Sequence, residues 1–191
     1  MKKVHLFIYV VLACALTISG CGGIKETLGR VDSSGPVNTA SVDLLNTKGE
    51  KIGTATLMQA AGGVKVAVKA SGLTPGKHGI HFHEKGICDA PDFKSSGEHF
   101  NPKLKEHGLV NPQGPHAGDL PNLVVGKDGK VNTEMITSNV TLEMGKPNSL
   151  IKPGGVALVI HESEDDQLTN PAGNSGSRVA CGVIKEPAVL K

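Results

Sequence analysis

Alternating apolar and polar residues mark several short segments of the chain and predict β-strands. In the run 64–69, three valines alternate with Lys, Ala and Lys. Side chains along a strand point alternately to its two faces, so this run predicts a strand with one buried face. Similar runs predict strands at 40–46, 51–58, 79–84, 131–137, 156–161 and 178–184. Glycine-containing turns separate the runs and no segment shows sustained helical periodicity, which predicts an all-β sandwich or flattened barrel.

The pattern stops between Glu84 and Leu123. The 38 residues between them contain five Gly, five Pro and three His, and they have no periodic apolar face. Loops of this length are uncommon inside a compact domain and are usually functional. Since no hydrophobic face can hold this loop against the sheet, another anchor is expected. A shorter irregular segment, 162–177, lies between the last two predicted strands.

The amino-terminal segment has the composition of an export signal. Lys2 and Lys3 precede an apolar run at 5–19, which is too short to span a bilayer because a spanning helix needs about 20 residues. The sequence Ile-Ser-Gly-Cys at 18–21 resembles a bacterial lipobox, in which the chain is cut before the cysteine and the cysteine carries lipid. These features predict a signal peptide at 1–20, a lipid-anchored flexible tether at 21–38 and a folded domain at 39–187.

The predicted anchor is the lipid on Cys21, and an ordinary signal peptide with a chance cysteine is the alternative. Both versions predict export. With lipid attached, the protein is expected on the extracytoplasmic face of the cell membrane, and the outer surface and the periplasm both stay open as locations.

Length and charge narrow the classes of partner. The chain has 191 residues, which suits one domain with a tail. Its formal net charge is +2, and the part that follows the two leader lysines is formally neutral. A neutral domain disfavours nucleic acid or a charged membrane surface as a partner, so the lipid anchor is the one membrane contact expected.

Two of the four cysteines remain for the folded domain, because Cys14 leaves with the predicted signal peptide and Cys21 takes lipid. Cys88 and Cys181 would meet an oxidising compartment, where a disulfide and two free buried thiols are both open. A bridge across 93 positions would remove about 4 to 5 kcal/mol of unfolded-chain entropy in the loop-closure model.

The placement of the histidines points to metal chemistry. His81 and His83 lie two apart on a predicted strand, so their side chains leave the same face. Four more candidates lie in the long loop and one ends a predicted strand: His99, His107, His116, Asp119 and His161. Imidazole suits copper and zinc, and one carboxylate is an acceptable zinc ligand. Seven such groups exceed one tetrahedral shell, which predicts two metals or a shared ligand and supplies the missing loop anchor. Scattered surface or hydrogen-bonded histidines are the alternative, and they explain any one of these residues better than the whole set.

Six segments, in order along the chain, resemble copper/zinc superoxide dismutase. They are Gly-Ile-His-Phe-His-Glu at 79–84, His-Phe-Asn-Pro at 99–102, Lys-Glu-His-Gly at 105–108, His-Ala-Gly-Asp-Leu at 116–120, Ile-His-Glu at 160–162 and Gly-Asn-Ser-Gly-Ser-Arg-Val-Ala-Cys-Gly-Val-Ile at 173–184. The resemblance covers about residues 39–185. It implies a Greek-key β-sandwich or flattened barrel of about eight antiparallel strands with a long metal-binding loop.

The same resemblance implies an enzyme that converts two superoxide radicals into O₂ and H₂O₂ by Cu(II)/Cu(I) cycling, and so protects the cell exterior. One copper and one zinc per subunit are implied. The implied copper ligands are His81, His83, His99 and His161. The implied zinc ligands are His99, His107, His116 and Asp119. His99 is thereby implied to bridge the metals as an imidazolate, in a bridge that opens on reduction and re-forms on oxidation.

Further roles follow from the resemblance position by position. Asp165 matches an aspartate that accepts hydrogen bonds from one ligand of each metal, and neighbouring Asp166 is the alternative. Arg178 matches an arginine above the copper that attracts and orients superoxide, so Arg178 and His99 are the implied catalytic residues. Cys88 and Cys181 match the family's intrasubunit disulfide.

The segment 162–177 departs from the family pattern. It is shorter than in the animal enzymes, it has no Lys or Arg before Arg178, and it contains four acidic residues. Steering of superoxide by this segment is therefore doubtful. Four lysines elsewhere are candidates to replace it: Lys85, Lys94, Lys103 and Lys105.

Two other functions are compatible with this fold. A metal-binding surface lipoprotein without turnover would be expected to have lost a histidine at a copper position, and all four are histidine here. A copper-delivery domain would be expected to carry a Cys-x-x-Cys or Cys-x-Cys segment, and the chain has neither. The resemblance leaves both monomer and homodimer open.

Overall fold

A computed structural model describes residues 39–185. The predicted signal peptide, the predicted tether and its Cys21 lie outside the described residues, and so do the last two residues of the predicted domain. Within residues 39–185 nine strands form: β1 Thr39–Asn46, β2 Lys51–Ala60, β3 Gly63–Ser71, β4 Gly76–His78, β5 Ile80–His83, β6 Leu123–Val125, β7 Lys130–Thr137, β8 Val156–His161 and β9 Arg178–Ile184.

Seven strands build one curled antiparallel sheet in the order β5-β8-β9-β1-β2-β3-β7, and β4 pairs with β6 in a small second sheet. Strand β9 returns to lie beside β1, next to the consecutive strands β1–β3, which is a Greek-key arrangement. Within the described residues the only helical element is a 3₁₀ turn at Lys94–Ser96. None of the helical structure described is long and apolar enough to cross a membrane. The predicted all-β fold is confirmed.

Inward-facing aliphatic side chains of the large sheet form the main core. On β3, Val64, Val66 and Val68 are buried while the residues between them are more exposed, as the alternation predicts. A second, smaller cluster joins the buried Phe93 to Ala157, Val159 and Cys181, with Cys88 packed against it. This cluster lies between the start of the long loop and strands β8 and β9.

A disulfide links Cys88 to Cys181, which confirms the pairing and excludes two free thiols. The two Cα atoms are 5.7 Å apart although the residues are 93 positions apart in sequence. Cys181 lies on β9, three residues after Arg178. The bridge therefore fastens the first part of the long loop to the strand that carries this arginine.

Backbone hydrogen bonds attach the rest of the long loop to β5. Phe100 N–H donates to Phe82 O at 2.8 Å, Gly118 N–H donates to Phe100 O at 2.8 Å, and Phe82 N–H donates to Gly118 O at 2.9 Å. Isolated bridges pair His83 with His99 and His81 with Asp119. The loop thus returns twice to the strand that carries the histidine pair.

The pairing of β8 with β9 has an irregular end. Ile160 lies opposite Ala180, whereas the next residue, His161, lies opposite Arg178. Val179 is therefore an extra residue on β9, which makes a β-bulge. Because of this bulge, His161 and Arg178 are direct cross-strand partners.

Candidate metal centre

Four histidine side chains converge at one edge of the large sheet. His81 and His83 come from β5, His161 ends the neighbouring β8, and His99 is brought in by its bridge to His83. All four are at least nine-tenths buried. One ring nitrogen from each lies within 4.8 Å of the others. The structure therefore brings together the whole set of predicted copper ligands.

The ring nitrogen that points away from this cluster is hydrogen-bonded in each case. His83 Nδ1–H donates to Gly97 O at 2.8 Å, and His161 Nδ1–H donates to Gly176 O at 3.1 Å. His81 Nε2 lies 2.7 Å from an oxygen of Asp165. Such partners fix the tautomer and the orientation of a metal-ligating ring.

The inward-facing nitrogens lack ordinary partners, and this tests whether the site fits a cation. His83 Nε2 and His161 Nε2 lie 3.4 Å apart, although the Nδ1–H of each ring is already used as a donor. His81 Nδ1 and His99 Nε2 are buried and have no hydrogen-bond partner. Buried lone pairs that face one another are costly unless a cation or a proton lies between them. Four imidazole nitrogens are a donor set that suits copper.

A second cluster shares His99. Its Nδ1 lies 3.0 Å from Asp119 Oδ1, and the Nδ1 atoms of His107 and His116 lie 3.1 and 3.4 Å from the same oxygen. The other oxygen of Asp119 accepts the backbone N–H groups of Gly108 and His116 at 2.8 and 3.0 Å. Three imidazoles and one carboxylate match the four-ligand preference of zinc. The predicted zinc ligands are thus assembled in one place, with His99 between the two clusters.

Asp165 links the two clusters from behind. Its carboxylate lies 2.7 Å from His81 Nε2 and 2.9 Å from His107 Nε2, so it contacts one residue of each set. The Gln167 backbone N–H also donates to it. Asp165 is buried whereas Asp166 is exposed, so the structure places the first of the two candidates at this position.

Burial and hydrogen bonding shift the charge states of these groups. Burial lowers the pKa of His81 to about 3 and that of His161 to about 4, and it also lowers the pKa values of His83 and His99. Neutral imidazoles with free lone pairs are therefore the form favoured in the first cluster.

The second cluster holds negative charge. Burial opposes ionisation of Asp119, yet hydrogen bonds from His107, His116 and His99 hold its pKa far below its usual range. Burial also opposes protonation of His107, but its hydrogen bonds to Asp119 and Asp165 raise its pKa to about 9. In the absence of metal, the imidazolium form of His107 is therefore favoured, with one N–H toward Asp119 and the other toward Asp165.

Arg178 is held by the beginning of the long loop. Its Nη1 donates to Phe93 O at 2.8 Å and to Ser96 Oγ at 3.1 Å, and its Nη2 donates to Gly97 O at 2.8 Å. Gly97 O also accepts from His83, so one carbonyl connects the guanidinium to a residue of the first cluster. Arg178 lines a cleft of about 580 Å³.

Lys94 is the predicted steering lysine that the structure places beside Arg178. Both line the same cleft, together with Asp92 and Glu162. The other three candidates are not among the described residues that line this cleft: Lys85, Lys103 and Lys105.

The sequence interpretation missed two residues that support the site. The Asn122 side chain donates to Asp165 O at 2.8 Å and accepts from Asp165 N at 2.9 Å, so it holds the backbone of that aspartate. The buried Ser96 hydroxyl contacts Arg178. Their partners lie 43 and 82 positions away, and no local sequence pattern indicates them.

His78, which was left out of the ligand sets, is buried and lies within 2.8 Å of the carbonyls of His161 and Thr74.

Comparisons with known proteins agree on one family. The model of the family described as copper/zinc superoxide dismutase matches residues 51–184. Superoxide dismutase [Cu-Zn] 1 of Aquifex aeolicus is 54% identical over 144 residues, which are 75% of this chain and 85% of that protein. The superoxide dismutase-like protein YojM of Bacillus subtilis is 41% identical over 188 residues, which cover 94% of this chain and 96% of that protein.

A solved structure with the same fold is a double mutant of a superoxide dismutase-like protein from Bacillus subtilis. It has a TM-score of 0.74 and 46% sequence identity, over 76% of this chain and 96% of that chain. The match to the family model includes every histidine and aspartate of the two clusters. The chain therefore belongs to the copper/zinc superoxide dismutase family, and it is an oxidoreductase that uses one copper and one zinc per subunit.

Proposed function

We propose that this enzyme dismutates superoxide with its first cluster holding copper and its second holding zinc, outside the cytoplasm. The proposed copper ligands are His81, His83, His99 and His161. The proposed zinc ligands are His99, His107, His116 and Asp119. The observation that carries this assignment is the position of His99, whose two ring nitrogens face different clusters.

The residues divide the work of the reaction. Copper, when bound, supplies the one-electron chemistry that oxidises one superoxide and reduces the next. His99 Nε2 is buried and has no hydrogen-bond partner among the described residues, so this nitrogen is placed to hold a proton during the reaction. Arg178 offers a permanent positive charge and several N–H donors to a small anion. Asp165 keeps the rings of His81 and His107 in fixed orientations.

The complete set of four histidines favours the enzyme over a metal-binding lipoprotein without turnover. In the solved double mutant from Bacillus subtilis, a tyrosine and a proline sixteen positions apart were each changed to histidine. His83 and His99 of this chain have the same spacing, and both belong to the proposed copper set. The protein described here therefore has a histidine at each of two positions with that spacing, without any substitution.

Metal analysis and superoxide decay on the same sample test this proposal. The test would use residues 37–191, which lack the predicted signal peptide and the lipidated cysteine, loaded with copper and zinc and then dialysed. One copper and one zinc per chain with fast, cyanide-sensitive decay are expected. Zinc alone, or both metals without decay, would instead support the metal-binding lipoprotein.

The location of the enzyme is proposed from the sequence of its first 38 residues. Lipid on Cys21 would hold the domain at the extracytoplasmic face of the membrane. Cys21→Ser is expected to abolish incorporation of labelled fatty acid into the protein without loss of specific activity, because the substitution lies outside the residues that build the site. Fatty-acid label that remains on the variant would contradict the anchor.

Arg178→Ala is expected to lower kcat/KM by about tenfold with both metals retained, because a charge and a hydrogen-bonding group for the anion are removed. Stopped-flow decay of superoxide at low salt measures this effect. Lys105→Ala removes a charge outside the cleft and is a matched control. An unchanged rate for Arg178→Ala at low salt would mean that the anion is attracted elsewhere.

Lys94→Glu is expected to slow the enzyme at low ionic strength by several-fold, because it reverses a charge in the cleft that Arg178 lines. The difference from the unchanged enzyme should shrink as salt is added, since salt screens exposed charges. The same substitution at Lys103, which is not among the described residues lining the cleft, controls for net charge. Equal effects of the two substitutions would contradict a local steering role of Lys94.

A further inference from the structure

The buried hydroxyl of Ser96 lies where it can set the orientation of Arg178. Ser96 belongs to the 3₁₀ turn Lys94–Ser96 and its side chain is fully buried. The hydroxyl donates to Phe93 O at 2.8 Å and accepts from Arg178 Nη1 at 3.1 Å. The hydroxyl is thus hydrogen-bonded to two groups that are also hydrogen-bonded to each other, since Arg178 Nη1 donates to Phe93 O.

A count of donors shows what this contact does to the arginine. A guanidinium has five N–H donors, on Nε, Nη1 and Nη2. The two Nη groups donate to three acceptors in the segment 93–97, namely Phe93 O, Ser96 Oγ and Gly97 O. Phe93 O and Ser96 Oγ lie 2.8 Å from one another and both accept from Nη1, so the hydroxyl helps to hold this nitrogen, while Nε–H donates to none of the described residues.

The segment that holds the arginine is itself rigidly attached. Phe93 is buried in the small core cluster with Cys181, and the disulfide joins Cys88, five residues before Phe93, to β9. Ser96 is the side chain of this segment that reaches Arg178, since the other two acceptors are backbone carbonyls. A substitution can remove this contact while both carbonyls stay in place.

We infer that Ser96 is a positioning residue for Arg178, which holds Nη1 so that the guanidinium keeps one orientation and its Nε–H stays available to the incoming anion. This inference rests on the anion-attracting role proposed for Arg178. A guanidinium held in one orientation presents its charge and its free donor to a small anion without first losing side-chain freedom.

Ser96→Ala tests the inference, with azide as the probe because it is a small monovalent anion. On the copper- and zinc-loaded enzyme, the variant is expected to bind azide about two- to fivefold more weakly and to show a similar fall in kcat/KM, with metal content unchanged. Ser96→Cys places a slightly larger and weaker acceptor at the same position, and it should act in the same direction. Ser95→Ala is the matched control, since that hydroxyl accepts from Asp89 N and does not contact Arg178.

A double-mutant cycle separates positioning from a structural role. If Ser96 acts through the arginine, Ser96→Ala should add nothing to the loss caused by Arg178→Ala. The inference would be overturned, and the role of Arg178 kept, by either of two results. Ser96→Ala could lower azide affinity equally with Arg178 present and with Arg178→Ala, or it could lower nothing while Arg178→Ala has a clear effect. If Arg178→Ala leaves both azide affinity and rate unchanged, the proposed role of Arg178 fails and the inference fails with it.

Discussion

A His99→Ala variant is expected to lose more than about a hundredfold of its dismutation rate while it remains folded. Loss of a residue that merely supports a metal ligand already costs about 10- to 100-fold in affinity or activity, and His99 faces both clusters directly. The substitution removes one nitrogen from each proposed shell. Copper and zinc content, superoxide decay and far-ultraviolet circular dichroism on one preparation measure the result.

His116→Ala is the comparison that makes the His99 experiment specific. His116 belongs to the second cluster alone, so its removal should lower zinc content and leave the four proposed copper ligands in place. His99→Ala should weaken retention of both metals. Full activity of His99→Ala, or loss of zinc with full retention of copper, would show that His99 is not a ligand shared by the two metals.

The largest expected effect on stability comes from the disulfide. Cys88→Ser should lower the free energy of unfolding by about 2 to 5 kcal/mol, because the unfolded chain loses a closed loop of 93 positions. It should also lower kcat/KM, since the segment that holds Arg178 is then attached to β9 through packing of Phe93. Urea unfolding of the metal-free protein, monitored by circular dichroism, measures the first effect.

Reduction provides a control for the disulfide prediction. A thiol reductant should destabilise the unchanged protein by about as much as Cys88→Ser does, and it should have no further effect on that variant. An unfolding midpoint that is the same for the variant and the unchanged protein would show that the bridge contributes nothing to stability.

Local patterning was enough to predict the long strands of this fold. The alternation at 64–69 lies inside β3, and the predicted bounds of β8 and β9 agree with the structure. Strands β4 and β6 were missed because each has only three residues, too few to show a period of two. Their existence depends on pairing with each other across the fold, which is a tertiary contact.

The sequence indicates which residues come together in the two clusters, but it does not indicate how the residues around them are arranged. The spacing of His81 and His83 and the strand-end position of His161 follow from strand geometry, and the sets to which they belong follow from the family resemblance. Other features depend on contacts between distant segments: the choice of Asp165 over Asp166, and the place of Lys94 beside Arg178. Such contacts leave no periodic trace in the sequence.

The cross-strand pairing of His161 with Arg178 has a consequence for how this enzyme can vary. The sixteen residues between them form a loop whose two ends are held together by this cross-strand pair and by a hydrogen bond from Glu162 N–H to Ser177 O at 2.7 Å. Doubling the length of a flexible loop costs only about 0.6 kcal/mol in closure entropy. As long as Asp165 and Gly176 keep their places, the rest of this segment can therefore gain or lose residues and charges while Arg178 stays beside His161. Insertions that change the charge near the site are accordingly expected in this segment.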